Sequence, residues 1–510
     1  MFNKLLKIIS VFSFLSLVFY FIYNADLAFV GPFGNNNATY SLQAKNYLKY
    51  GLLKTKFAPI NKEVNGNFQY YLHHPPLLQL STALAYKIFK TNSWWPGRFF
   101  PIVSTLVSII LISLIAKNLW GDTAGRLALF LGSTCPFLLS FGKIIQFEPL
   151  LLAITLIFTF SAGKKVNKKT FLWLSLLAVA GSLIDWPMIL FLAFFYLVNQ
   201  KRLYKPQAYL LLSLITLILF FIYVSWLSGP KELISAFLGR SLGSELFGKT
   251  LFPVKFSLLQ LIRIIIYFTP LGFFSAIYFF KKKKSETTVT LFFLFGSANV
   301  ILFLNGAFAH PYWLYYLTPF FILTSTYLLT KMLKNKKLFW PGIIILLLNT
   351  IFSISIINFK DQQVKKALWQ DKFINQIVLF LSDKEEIGTS WDFNEELFRY
   401  KTHHPIEILW SKNQIIKDTL QSPKWRYFIF SCWANCTFED AKIKEMLSDQ
   451  HEIVLTEENG KAFLFDLKKP KEKTKEEAGQ KEIQVKQEVL PPFLWQYYQK
   501  IRDFLGVNQI

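Results

Sequence analysis

Along the first 360 positions apolar residues come in long runs instead of short alternations. Eleven stretches, roughly 7–24, 99–116, 124–141, 148–162, 171–184, 187–200, 208–227, 260–280, 288–305, 311–330 and 338–357, are almost free of charge. Such runs predict membrane-spanning helices: about 30 Å of hydrocarbon needs about 20 residues of helix, and the bilayer core offers no water to an unpaired backbone group. The expected fold is mainly α, a polytopic membrane domain over residues 1–359 with about eleven transmembrane helices and a long first loop at 25–98. The first run follows Lys4 and Lys7, and no small-residue cleavage site follows it, so it predicts an uncleaved anchor.

From Lys360 the pattern changes to that of a soluble domain. Strands are predicted at 425–430 and 462–467, and helices at 361–382 and 438–448, giving a small external α/β domain over 360–468. Residues 469–490 are rich in Lys and Glu without an apolar period, which predicts a solvated linker. Residues 491–510 interleave Phe493, Leu494 and Trp495 with Lys500 and Arg502. That spacing fits an amphipathic segment on a membrane surface and equally a frayed terminus.

Composition agrees with the pattern. The chain has 510 residues, 53% of them hydrophobic and 54 of them Phe. Its formal charge of +24 would suggest nucleic acid in a soluble protein. Here the basic residues cluster between apolar runs. Lys164, Lys165, Lys168 and Lys169 lie in one loop, Lys201, Arg202 and Lys205 in another, Lys281 to Lys284 in a third, and Lys331, Lys334, Lys336 and Lys337 in a fourth. These are alternate loops, so a single orientation satisfies all four, with the N-terminus in the cytoplasm and the C-terminal domain outside. Membrane orientation therefore accounts for the charge, and no nucleic-acid partner is implied. Three cysteines exclude a disulfide scaffold. Cys432 and Cys436 are compatible with a disulfide or with two free thiols, and Cys135 falls in a span.

With this orientation the chemically suggestive residues lie on the external side. The first loop holds Gly34-Asn35-Asn36-Asn37-Ala38-Thr39-Tyr40 and Tyr70-Tyr71-Leu72-His73-His74-Pro75-Pro76, with Arg98 opening the next span. Phe141-Gly142-Lys143 with Glu148-Pro149, then Asp185-Trp186-Pro187, then His310-Pro311-Tyr312-Trp313 follow in order. This ordered set resembles the GT-C superfamily of polyprenyl-phosphate-sugar-dependent glycosyltransferases. Within it, the nearest likeness is to the bacterial relatives of protein O-mannosyltransferases and lipid A aminoarabinose transferases, similar to glycosyltransferase family 39.

The resemblance implies two helices along the membrane surface in the first loop and an active site at the external face of a bacterial cytoplasmic membrane. It implies a sugar donor on a lipid phosphate, a lipid, glycan or protein acceptor, and inversion at the sugar's C1 with a carboxylate as general base. Relatives carry an acid near the start of the first loop, where this chain has Asn35, Asn36 and Asn37; Asp26 is the nearest carboxylate. Glu148 matches the acidic position of the second external loop and becomes the leading catalytic candidate, its alternative reading being a solvated carboxylate at a helix N-terminus. Asp185 is the second, with a helix cap as the alternative.

For substrate binding the candidates are Asn36, Tyr40, His73, His74, Lys143, Arg240, His310 and Tyr312. His74 is placed at the donor phosphate, either protonated or as a neutral N–H donor, and Arg240 suits phosphate through its planar fork. Solvated loop positions and an interfacial aromatic belt are the bland alternatives for Arg240 and Tyr312. No cofactor is specified; a divalent metal is left open, with His73 too isolated to define its site. Two further functions stay open. One is a transporter or flippase for a lipid-linked substrate, against which stands the lack of an internal repeat. The other is an inactive family member acting as a partner protein.

Overall fold

The structure, a computed structural model, describes residues 2–64, 66–163, 167–199, 206–241, 252–282, 286–382, 385–390, 393–431 and 438–470. Cys432 and Cys436, the basic loop 201–205, the linker beyond Pro470 and the terminal segment 491–510 lie outside the described residues. The chain divides into two units. The first contains Met1–Leu27 and Gln43–Lys360, and the second contains Ala28–Leu42 and Asp361–Pro491.

The first unit is helical. Its elements are α1 (Phe2–Ala25), α2 (Gly34–Tyr50, entering this unit at Gln43), a hairpin of β1 (Ile60–Val64) and β2 (Asn67–Tyr70), α3 (Leu77–Phe89), α4 (Trp95–Trp120), α5 (Asp122–Ser133), α6 (Pro136–Phe141) and α7 (Phe147–Ala162). They continue with α8 (Lys168–Ile184), α9 (Pro187–Asn199), α10 (Pro206–Ser228), α11 (Lys231–Ser241), α12 (Phe252–Lys281), α13 (Thr287–Leu302), α14 (Leu304–Ala309), a 3₁₀ turn at Pro311–Leu317, α15 (Thr318–Lys334) and α16 (Phe339–Ala367). Among the described residues, five helices are long and apolar enough to cross a membrane: α1, α4, α10, α12 and the helix that begins at Phe339. α7, α9 and α13 are shorter apolar helices.

Each of the eleven predicted runs is helical over most of its length; the ninth is interrupted at Phe303 between α13 and α14, and three others depart from regular α-helix at proline. The third run breaks into α5 and α6, because Pro136 holds Cys135 in an extended conformation (φ −67°, ψ 117°). The eighth run kinks before Pro270, where Thr269 adopts φ 66° and ψ 162°. Its hydroxyl then turns to the Asn349 side chain on α16. The tenth run opens as a 3₁₀ turn from Pro311 before α15 begins.

Two helices do occupy the first loop, α2 and α3. They pack through Ala44, Tyr47, Ala83 and Tyr86. α2 also holds the hairpin: Asn46 Nδ2 donates to the Ile60 carbonyl at 2.8 Å, and the Tyr47 hydroxyl donates to the Phe57 carbonyl at 2.8 Å. Asp26 accepts from the Trp94 backbone N–H at 2.9 Å and so caps the start of α4, while Arg98 donates to the carbonyls of Ala25 and Leu27.

The second unit is built on a five-stranded mixed sheet in the order β4-β3-β5-β7-β6, with β3 (Ile387–Ser390), β4 (Ile406–Leu409), β5 (Tyr427–Ser431), β6 (His451–Thr456) and β7 (Ala462–Pro470). β3 pairs parallel with β4 and β5, and β7 pairs antiparallel with β5 and β6. Its core contains Trp425, Phe428, Phe430, Phe463 and Phe465, with Ile443 and Leu447 from the helix Phe438–Gln450. The N-terminal piece of this unit is tied to it by Phe29, which is fully buried, packs on Tyr400 with ring centroids 5.2 Å apart, and accepts from Asn394 Nδ2 at 3.3 Å.

Candidate active site

Three chain segments converge in the first unit. The loop after β2 runs through Tyr71, His73 and His74 into Pro75 and Pro76, where α3 begins. The second segment is the start of α7, with Phe147 and Glu148. The third is the turn between α8 and α9, where Asp185 is extended (φ −159°, ψ 155°) and Pro187 opens α9.

His74 is the meeting point. Its Nδ1 lies 2.8 Å from Asp185 Oδ1, and both side chains are buried. Its ring stacks on Phe147 at 4.1 Å between centroids with 16° between the planes, and Tyr71 lies parallel at 6.1 Å. Asp185 Oδ1 also accepts from the Trp186 backbone N–H at 2.9 Å, and Trp186 Nε1 donates to the His73 carbonyl at 3.0 Å. Imidazole, carboxylate and loop are thus locked together by bonds running in both directions.

Burial, and after it the Arg240 guanidinium, push the His74 imidazole below its ordinary range; Asp185 opposes this without overcoming it. These surroundings favour the neutral imidazole at His74. A carboxylate only accepts hydrogen bonds, so the proton of His74 is on Nδ1 and the lone pair is on Nε2. Burial, then Arg240, then His74 likewise hold His73 down at about 4. A neutral His74 of this tautomer offers an acceptor beyond the pair.

A cavity of about 250 Å³ opens beside the pair. His73, His74, Asp185 and Trp186 form one wall. α10 and α11 form another, with Phe221, Leu233, Phe237 and Arg240, and Phe303 and Trp313 complete the lining. The lining is thus mostly apolar and aromatic, with one guanidinium and one imidazole–carboxylate pair at its polar end. Ile234, Phe237 and Leu238 of α11 remain exposed.

Four sequence candidates, His73, His74, Asp185 and Arg240, are thereby gathered at one cavity. Glu148 is buried at the start of α7, within electrostatic range of Asp185 and Arg240, but it does not line the cavity. Its Oε2 has no hydrogen-bond partner among the described residues, and neither side-chain polar atom of the neighbouring Gln146 has one. Lys143 donates to the Tyr20 hydroxyl at 3.1 Å and stacks its ammonium 4.5 Å over that ring. His310 is exposed and stacks on Tyr312 at 5.0 Å. Asn36 and Tyr40 belong to the second unit. Among the described residues, no three His, Cys, Asp or Glu side chains come together as a metal set would.

Sequence reasoning missed Arg263. It is fully buried in α12 and donates to the carbonyls of Ala307 at 2.6 Å and Phe308 at 3.1 Å, anchoring the C-terminal end of α14. The signal was available, since an arginine inside an apolar run needs partners. The bond between Trp186 and His73, and the Phe147 platform under His74, left no signal in local pattern.

Residues 73–226, which include the histidine pair, Glu148 and Asp185, match the family model described as dolichyl-phosphate-mannose-protein mannosyltransferase. No curated protein sequence matches. The fold is similar to that of ArnT from Cupriavidus metallidurans bound to undecaprenyl phosphate, with a TM-score of 0.59 at 12% identity, covering 90% of this chain and 97% of that one. The apo form of the same protein gives 0.59 at 11% identity, covering 89% and 96%. The oligosaccharyltransferase of Archaeoglobus fulgidus, in its complex with Zn and sulfate, gives 0.52 at 13% identity, covering 83% of this chain and 68% of that one. Over residues 73–226 the chain is thus similar to the dolichyl-phosphate-mannose-protein mannosyltransferase family, on a fold similar to that of ArnT.

Proposed function

We propose that this chain is a membrane glycosyltransferase that moves a sugar from a polyprenyl-phosphate donor to an acceptor on the external face of a bacterial cytoplasmic membrane. The observation that carries the reading is the 250 Å³ cavity, whose apolar walls end at Arg240 and the His74–Asp185 pair. A lipid phosphate is an amphiphile of that shape: an isoprenoid suits the α10–α11 wall, and its phosphate suits a guanidinium. Similar folds support it, since one ArnT structure is bound to undecaprenyl phosphate and one structure of the archaeal oligosaccharyltransferase AglB holds dolichol-phosphate and an inhibitory peptide.

In the proposed reaction a new bond forms between the acceptor's oxygen or nitrogen and C1 of the sugar, and the bond from C1 to the phosphate oxygen breaks. Polyprenyl phosphate leaves with the bonding pair, and Arg240 meets the charge that grows on it. His74 Nε2 takes the acceptor's proton, while Asp185 keeps the ring in its tautomer and stabilises the imidazolium that results. This arrangement supplies a base where Asn35, Asn36 and Asn37 replace the expected acid, and attack on the face opposite the leaving phosphate inverts C1. The same histidine–carboxylate pair in a lined cavity favours transfer over passive translocation and over an inactive partner role.

Donor binding tests the reading at its first step. Native mass spectrometry of the detergent-solubilised chain should show one undecaprenyl phosphate retained by the wild type and lost, at equal lipid concentration, from Arg240→Ala. Equal retention by both would remove Arg240 from the phosphate site, and no retention by the wild type would refute the donor class.

A further inference from the structure

A second and larger cavity, about 480 Å³, opens beside the β1–β2 hairpin. Its lining includes Asn61, Phe68, Gln69, Tyr70, Tyr71 and His73. The chemistry of this lining differs from that of the first cavity. It combines two tyrosines and a phenylalanine with two amides, and no Lys, Arg, Asp or Glu is among its described lining residues. Its volume falls in the range of small-molecule sites, about 300–1,000 Å³. His73 lines both cavities, so the second one reaches the polar end of the first.

One of these amides is held in a fixed direction from behind. Gln79 Nε2 donates to Gln43 Oε1 at 3.1 Å, and Gln43 Nε2 donates to Asn61 Oδ1 at 2.7 Å. Gln43 and Gln79 are fully buried, on α2 and α3. Gln79 Oε1, at the far end of this relay, has no hydrogen-bond partner among the described residues. The bond from Gln43 engages the Asn61 oxygen, which leaves the two N–H donors of Asn61 for a ligand in the cavity it lines. The hairpin that carries Asn61 and Gln69 is itself fixed to α2 through Asn46.

We propose that this cavity binds neutral sugar residues of a glycan acceptor, held beside His73 so that one hydroxyl reaches the base at His74. The inference rests on the transferase reading above and names its acceptor class. Aromatic faces with polar tips fit the apolar faces of pyranose rings, and oriented amides fit vicinal hydroxyls, each able to give and accept. An uncharged lining gives a phosphate or a charged peptide terminus no partner.

Saturation-transfer NMR on the full chain in detergent tests this with maltose, cellobiose and N,N′-diacetylchitobiose as probes, against a neutral serine-rich octapeptide. The expected result is saturation of at least one disaccharide. It should fall by roughly fivefold or more, the scale of one or two lost hydrogen bonds, in Gln69→Ala and in Asn61→Asp. The second variant keeps the bond from Gln43 but removes the N–H donors, so it separates recognition from scaffold. Arg240→Ala should leave the disaccharide signal unchanged. Saturation of the peptide alone, no saturation of any disaccharide, or full signal in both hairpin variants would overturn the proposal. Undecaprenyl phosphate is titrated into the same sample: if it binds and no disaccharide does, the glycan acceptor fails and the donor reading survives. If disaccharide binds and the lipid does not, the sugar site stands and the transferase reading fails.

Discussion

His74 Nδ1 lies 2.8 Å from Asp185 Oδ1, although 111 positions separate the two residues in the chain. The bond joins the loop before α3 to the turn before α9 and sets which nitrogen of His74 faces the cavity. Asp185→Asn puts an amide N–H within reach of Nδ1 and favours the opposite tautomer. We expect turnover to fall by about 10²-fold or more, the scale of losing a positioned general base, with donor binding retained. His74→Asn should fall at least as far. Normal turnover in both variants, measured as release of polyprenyl phosphate, would remove the pair from the chemistry.

The pair also predicts a pH dependence. Burial and Arg240 lower the His74 pKa and Asp185 raises it. The base is active when neutral, so activity should persist with falling pH through the ordinary histidine range near 6.5 and fail only below it. His73, lowered to about 4 by burial and Arg240, becomes a neighbouring cation only near that pH. Arg240→Ala removes a cation that disfavours protonation, so the acid limb of the residual kcat/KM should move up. An acid limb that moves down in this variant would contradict the assignment.

Glu148 is the leading base by sequence, and the His74–Asp185 pair is the proposed alternative to it. The residue is buried, within electrostatic range of Asp185 and Arg240, and is absent from the cavity lining. Glu148→Gln should leave undecaprenyl phosphate binding intact and lower turnover less than His74→Asn does. The comparison is made on the two purified variants under the same donor concentration. An equal or larger loss in Glu148→Gln would return the base to Glu148.

Orientation rests on the alternating basic loops. In a background without Cys135, Cys432 and Cys436, cysteines placed at Asn67 and Glu458 should react with a membrane-impermeant maleimide added outside. One placed at Lys282 should react only after the membrane is opened. Labelling of position 282 from outside would overturn the orientation and the external site with it.

Much of the fold was legible because apolar runs report burial in lipid directly. Each of the eleven runs contains helix, and the deviations at Pro136, Pro270 and Pro311 follow from the missing N–H and the restricted preceding residue. In the C-terminal region β5 and β7 were legible as aromatic strands, whereas β3 and β4 are four residues long and too short to show a period. At the cavity, residue types in the loops between apolar runs single out His73, His74, Asp185 and Arg240. Their partners were not legible, because a contact such as His74 with Phe147 depends on tertiary packing. Asn36 and Tyr40 looked equivalent to these residues by position in the first loop, yet the segment 28–42 groups with the C-terminal sheet through contacts such as Phe29 with Tyr400.

Transfer itself is the most direct measurement. The purified chain in proteoliposomes receives polyprenyl-phosphate sugars labelled in the sugar, and membranes from a strain lacking the chain supply the acceptor. We predict that label from at least one donor moves to an acceptor with release of an equal amount of polyprenyl phosphate, and that His74→Asn reduces both. Intact donor crossing the bilayer without release of polyprenyl phosphate, or no consumption of any donor by the wild type, would contradict the account.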